Sequence, residues 1–166
     1  MSSETVRLAS LGLGWWSDEL AAAVGRAEGV EIAACFTRSE DKRRAFAEKF
    51  DCRAASSYEE ILEDPDIDGI VNTTPNNVHL ETTRQAAEAG KHVFLDKPIA
   101  NSVGEGLAIA ALCRDAKVKL SIGFQRRRET HFRWVKEQIE AGEFGFLVQA
   151  EANISRDREG KFEEGH

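Results

Sequence analysis

The sequence has no run approaching the roughly 18 apolar residues that a membrane-spanning helix needs. Its first ten residues, MSSETVRLAS, lack the basic and then apolar blocks of a signal peptide. It also lacks surplus positive charge: 22 Lys and Arg stand against 29 Asp and Glu, a formal net charge of −7. That argues against a general nucleic-acid partner or an anionic membrane surface, because neutralising phosphates takes a basic face. A local positive pocket for a small phosphorylated ligand stays compatible with it. Cysteine is scarce and odd in number: Cys35, Cys52 and Cys113 show neither metal-ligand nor redox-pair spacing. Two of them fall in apolar segments, where a reduced thiol acts as a small hydrophobe. Repeats and low-complexity tracts are absent. The expectation is a cytoplasmic protein with no nucleic-acid, membrane or metal partner and no structural disulfide.

What is present is ordinary globular material, 166 residues with 42% apolar and 31% charged side chains. That suffices for one well-buried domain and the start of a second. Short apolar runs alternate with longer segments of helical period. The strands read as VRLASL (6–11), VEIAACF (30–36), GIVNTT (69–74), HVFL (92–95) and KLSIGF (119–124). Between them, VGEGLAIAALCRDAK places Val103, Leu107, Ala110 and Ala111 on one helical stripe. Such alternation implies parallel strands with right-handed crossovers, hence a doubly wound α/β sheet of the Rossmann kind over residues 1–124. After Phe124 the rhythm changes. A charged helix (about 129–141) leads into GEFG, and FLVQAEANIS (146–155) reads as a strand of alternating character. A lone strand forms no stable sheet. It joins another sheet, in this chain or a neighbour, or the polypeptide is the front part of something longer. Residues 125–166 are therefore expected to lie beyond the first domain, with one helix and one strand.

GLGWWS (12–17) follows the first strand and opens a helix, the setting the dinucleotide fingerprint requires. Gly12 permits a tight turn. Gly14 lacks a Cβ, so backbone and the helix N-terminus can approach a pyrophosphate. The third position of the fingerprint is Ser17 rather than Gly. A plain hydrophobic turn uses the same glycines. Trp15 and Trp16 likewise admit two roles, as packing anchors of the turn or as walls of a ligand cleft.

About 20 residues beyond the glycines, the second strand of a dinucleotide fold ends at the adenosine ribose. Here that end reads Thr37-Arg38-Ser39, where an NAD binder usually carries a carboxylate. Donors and a guanidinium suit a 2′-phosphate, which points to NADP, with NAD the alternative. Ser39 also reads as the N-cap of the helix starting at Glu40.

NTTPNNVHLE (72–81) ends the third of these strands and FLDKPIA (94–100) the next. With the glycine loop and GFQRR (123–127), these stretches resemble, in order and over nearly the whole chain, the Gfo/Idh/MocA family of NAD(P)-dependent oxidoreductases. The resemblance implies a Rossmann domain followed by a larger α+β domain that carries the substrate site and often mediates oligomerisation, with residues 125–166 its incomplete beginning. A homo-oligomer formed through the C-terminal strand region is thus expected.

Thr74, Pro75 and Asn76 fall at the carboxyl edge of the sheet, with Asn76 offering an amide to ribose or pyrophosphate, although Pro-Asn is also a good turn starter. His79 matches the family's histidine, and a structural, loop-orienting part suits it somewhat better than a ligand contact. Asp96-Lys97-Pro98 corresponds to the family's Glu-Lys-Pro, with Asp for Glu and a Lys-Pro bond that is often cis. By that resemblance Lys97 lies near the nicotinamide and is the catalytic candidate, stabilising alkoxide charge and relaying a proton as hydride moves. Gln125 and Arg126 match a stretch near the nicotinamide end in relatives, or belong to a solvated basic run with Arg127 and Arg128. The implied function is hydride transfer between NADP(H) and a secondary alcohol or ketone, a small sugar or polyol. The alternatives are a non-catalytic NAD(P)-binding regulator or an inactive truncated homologue. The second Asp/His acid–base pair usual in the family is not found in the sequence.

Overall fold

A computed structural model describes residues 5–153. Within them the chain runs β1 (Val6–Leu11), α1 (Trp15–Val24), β2 (Val30–Phe36), α2 (Glu40–Phe50), β3 (Arg53–Ala54), α3 (Tyr58–Glu63), β4 (Gly69–Asn72), α4 (His79–Glu88), β5 (His92–Leu95), α5 (Val103–Asp115), β6 (Leu120–Ile122) and α6 (Thr130–Glu140). The six strands form one sheet in the order β3-β2-β1-β4-β5-β6, every pair parallel. This is the expected doubly wound fold.

Its strands read as apolar runs because helices cover both faces. Successive residues divide between two cores: Ala34 and Ile70 belong to one, Cys35 and Val71 to the other. Strand alternation accounts for that division. Serine caps set the helix starts. Ser39 Oγ accepts from Lys42 N at 3.4 Å, Ser57 Oγ from Glu60 N at 3.1 Å and Ser102 Oγ from Glu105 N at 3.2 Å. The three cysteines carry free thiols.

Three expectations need correction. β3 and α3 were not foreseen, since two and six residues offer no period to read. The Val103–Leu107–Ala110–Ala111 stripe does not face the core, for Val103 and Leu107 are 81% and 67% exposed. α5 instead buries Gly106, Ile109 and Cys113. The helix is apolar on both sides, so its period alone selects no face. Gly106 decides it: a Cβ there would lie 3.3 Å from Ile99 Cγ2, so only the small-residue side fits that close to the chain. Third, residues 146–153 form no strand, and Phe146 is 92% exposed. Alternating character supplies a face but not a neighbouring strand, and no strand pairing among the described residues includes this segment. Residues 154 and 155 lie outside the described residues. The expected self-association through this strand therefore has no strand to rest on among them.

The chain divides into two compact units, residues 1–124 and 125–166. In the second, Gln125–Arg128 form a 3-10 turn and α6 carries Trp134, which meets Phe144 edge-on at 6.5 Å. No helix among the described residues is long and apolar enough to cross a membrane.

Candidate functional site at the carboxyl edge

Four of the predicted segments follow the carboxyl ends of β2, β1, β4 and β5, in that spatial order: 37–39, 12–17, 74–76 and 96–98. In open α/β sheets this edge is where ligands bind.

At the β1 end, Gly12 takes φ +83°, a left-handed backbone that favours glycine. A Cβ there would come within 2.8 Å of Thr74 N, so the loops after β1 and β4 touch backbone to backbone. Thr73 seals that contact. Its N–H donates to Leu11 O at 2.8 Å and its hydroxyl to the carbonyl oxygen of Gly12. Gly14 is different, because a Cβ on it would meet nothing within 4 Å. The space above it is open, beside the N-terminus of α1, as a bound pyrophosphate would require. Ser17 in the third fingerprint position is buried. Its Oγ accepts from Gly14 N at 2.9 Å and donates to Gly14 O at 2.6 Å, closing the first turn.

The two tryptophans part company. Trp15 is 74% exposed. Trp16 is half-buried, and its Nε1 donates to Asp96 Oδ1 at 3.1 Å, joining the glycine loop to the segment after β5. Their rings meet edge-to-face at 5.3 Å.

At the β2 end, Arg38 and Ser39 are exposed, and Arg38 makes no hydrogen bond or ion pair among the described residues. Arg43, unnoticed in the sequence, stands beside them. Its guanidinium donates to Thr37 O at 2.8 Å and lies 5.4 Å from the centroid of the Phe36 ring. Behind them the Cys35 thiol donates to Arg43 O at 3.6 Å. The proximity of the two thiols holds Cys52 below the ordinary thiol range and, with burial, pushes Cys35 above it.

At the β4 end, buried Asn72 holds the loop from beneath. Its Oδ1 accepts from Thr74 N at 3.1 Å and from Thr74 Oγ1 at 2.7 Å, while Nδ2 donates to Thr82 Oγ1 at 2.8 Å. A polar residue closing an apolar strand was the signal for it. Pro75 and Asn76 are exposed on the edge. His79 is fully buried, with Nε2 2.9 Å from Thr74 O and Nδ1 3.1 Å from Pro98 O. Its ring links the loops after β4 and β5.

At the β5 end the Lys97–Pro98 peptide is cis. Lys97 is exposed and, among the described residues, makes no hydrogen bond or ion pair. Gln125 and Arg126 belong to the second unit, where they open the 3-10 turn. The assembled set is thus made by the first unit's four loops.

Residues 6–124 match the family model of the Gfo/Idh/MocA oxidoreductases, described as an oxidoreductase family with an NAD-binding Rossmann fold. The chain belongs to this family. An uncharacterised oxidoreductase of Bacillus subtilis is 42% identical over 90 residues, covering 54% of this chain and 26% of the relative. The 1,5-anhydro-D-fructose reductase of Ensifer adhaerens is 31% identical over 126 residues, 75% of this chain and 38% of that one. Among solved structures, the WlbA dehydrogenase of Bordetella pertussis, in complex with NADH and UDP-GlcNAcA, superposes with a TM-score of 0.81 at 27% identity, covering 87% of this chain and 42% of its own. The Gfo/Idh/MocA chain described here spans less than half the length of each of these relatives.

Proposed function

We propose that residues 1–124 bind NADP(H) along the carboxyl edge, and that the protein serves hydride transfer to or from a secondary alcohol or ketone, a sugar or polyol. One observation carries this reading: two exposed, unpaired cations, Arg38 and Lys97, stand at the β2 and β5 ends of a single edge, with the open glycine loop between them. From β2 to β5 is three strand spacings, about 14 Å, which an extended dinucleotide can follow. Arg38 and Ser39 hold the 2′-phosphate, Gly14 and the α1 N-terminus the pyrophosphate, and Thr74, Pro75 and Asn76 the ribose beyond it.

The dinucleotide, when bound, supplies the hydride acceptor or donor. Lys97 does the rest of the chemistry this chain can offer. In reduction its ammonium hydrogen-bonds the substrate oxygen, stabilises alkoxide charge and passes a proton to it; in oxidation the neutral amine receives the hydroxyl proton. His79 and Asn72 keep the loops in place beneath it. The substrate class is supported by relatives named for anhydrofructose and scyllo-inositol. The segment after Phe124, where the family match stops, we assign to the beginning of the substrate-binding part.

Titration calorimetry of the 166-residue chain with NADPH and with NADH tests the reading. Heat with both and tighter binding of NADPH is expected. No heat with either overturns it, and tighter NADH overturns the assignment of Arg38.

A further inference from the structure

Asp96 and Lys97 are adjacent residues of opposite charge, yet they do not pair. The Asp96 carboxylate is engaged elsewhere. Its Oδ1 lies 3.1 Å from Trp16 Nε1, and 3.1 Å from the position a Cβ on Gly123 would occupy. The backbone beneath it is held as well, since Asp96 N donates to Asn72 O at 2.9 Å and Gly123 N to Leu95 O at 2.8 Å. Trp16 comes from the first turn of α1, 80 residues away in sequence, on a strand-to-helix connection two strands from β5.

From this geometry we infer that Trp16 is a positioning residue for Lys97. By donating to Asp96 the indole turns the carboxylate toward α1 and away from the neighbouring ammonium, so that Lys97 stays unpaired and available to a ligand oxygen. Its meaning for catalysis rests on the role of Lys97 proposed above, but the contact itself does not.

An indole N–H is a neutral donor, so it fixes the direction of the carboxylate without cancelling its charge. Without that donor, the freed carboxylate can pair with the ammonium of the next residue, Lys97. An exposed carboxylate–ammonium pair is weak, enough to lower the fraction of free amine about twofold to fivefold.

The test is competitive acetylation of the 166-residue chain by acetic anhydride, read at each lysine by mass spectrometry. Lys117, exposed at the opposite edge of the sheet, is the internal reference. Trp16→Phe keeps an aromatic ring and removes the donor. It is expected to slow Lys97 labelling about twofold to fivefold, and adding Asp96→Ala should restore the original rate. Unchanged labelling in Trp16→Phe overturns the inference, and so does equal slowing in the double variant, which would mean the loop has merely shifted. Asp96→Ala alone keeps the question answerable should Trp16→Phe not fold. Labelling is expected to stay within about twofold of the parent, because the carboxylate is already held off. A rise beyond fivefold would show that Asp96 had been paired with Lys97 all along. No nucleotide is present, so a protein that fails to bind NADPH still returns an answer on Trp16.

Discussion

The imidazole of His79 binds the loop after β4 to the loop after β5, its Nδ1 lying 3.1 Å from the carbonyl oxygen of Pro98 while Nε2 faces Thr74 O at 2.9 Å. The His79 side chain itself is fully buried. Substituting His79 by Ala leaves a carbonyl short of its donor and opens a cavity, and should cost about 2–4 kcal/mol of stability. Urea denaturation measures this. A loss below about 1 kcal/mol would show that the ring is a filler rather than a clamp.

The two glycines of the first loop should respond oppositely to the same methyl group. Gly12→Ala forces a non-glycine residue to φ +83° and drives its Cβ to 2.8 Å from Thr74 N. Left-handed strain of about 1–2 kcal/mol and overpacking of about 1–3 kcal/mol both oppose folding. Gly14→Ala meets empty space and an extended φ of −131°, so stability should stay within about 1 kcal/mol of the parent. Its methyl instead enters the space assigned to the pyrophosphate, and NADPH affinity should fall about tenfold. Thermal melts and calorimetry on both variants decide the matter. A Gly14→Ala protein that binds NADPH as the parent does places the phosphates elsewhere.

Much of the fold was legible because most strands are continuous apolar runs. VRLASL, VEIAACF and HVFL match β1, β2 and β5 residue for residue. Arg53–Ala54 was not, since a two-residue polar strand is made by its partner β2 rather than by its own composition. The buried face of α5 was not legible because Gly106, the residue that permits close packing, has no hydropathy to read. Within the site the loop segments were legible as local chemistry: glycines after a strand, Pro-Asn at a strand end, Asp-Lys-Pro at another. What joins them was not. The Trp16–Asp96 bond spans 80 residues and the His79 clamp 19, and no period or motif encodes a contact at such separation.

Cys52 should be the reactive thiol of the three. The neighbouring Cys35 thiol holds it below the ordinary thiol range, whereas burial pushes Cys113 up. A lower pKa means more thiolate at neutral pH, hence faster alkylation, and the advantage should vanish once the solution is alkaline enough to ionise an ordinary thiol. Cys35→Ala removes that neighbouring thiol, so the Cys52 alkylation profile should move to higher pH. Iodoacetamide labelling across pH 6–9, with mass-spectrometric readout, checks both. A Cys52 profile indifferent to Cys35→Ala removes the assigned cause.

In the proposed reading, Arg38 carries the distinction between the two nicotinamide dinucleotides. It is exposed, free of ion pairs among the described residues, and follows the strand end where a carboxylate would repel a 2′-phosphate. Hydrogen bonds to a charged group contribute about 1.5–3 kcal/mol, so Arg38→Ala should weaken NADPH binding roughly 10- to 150-fold. NADH has no phosphate at that position and should lose little. Raising the salt concentration should mimic the substitution for NADPH in the parent protein and have little further effect in the variant, since the screened contact is already gone. Calorimetry with both nucleotides at two salt concentrations separates the possibilities. Equal losses for NADPH and NADH would mean that Arg38 stacks on the adenine common to both, and the phosphate contact would then fall to Arg43, whose guanidinium already lies beside Thr37.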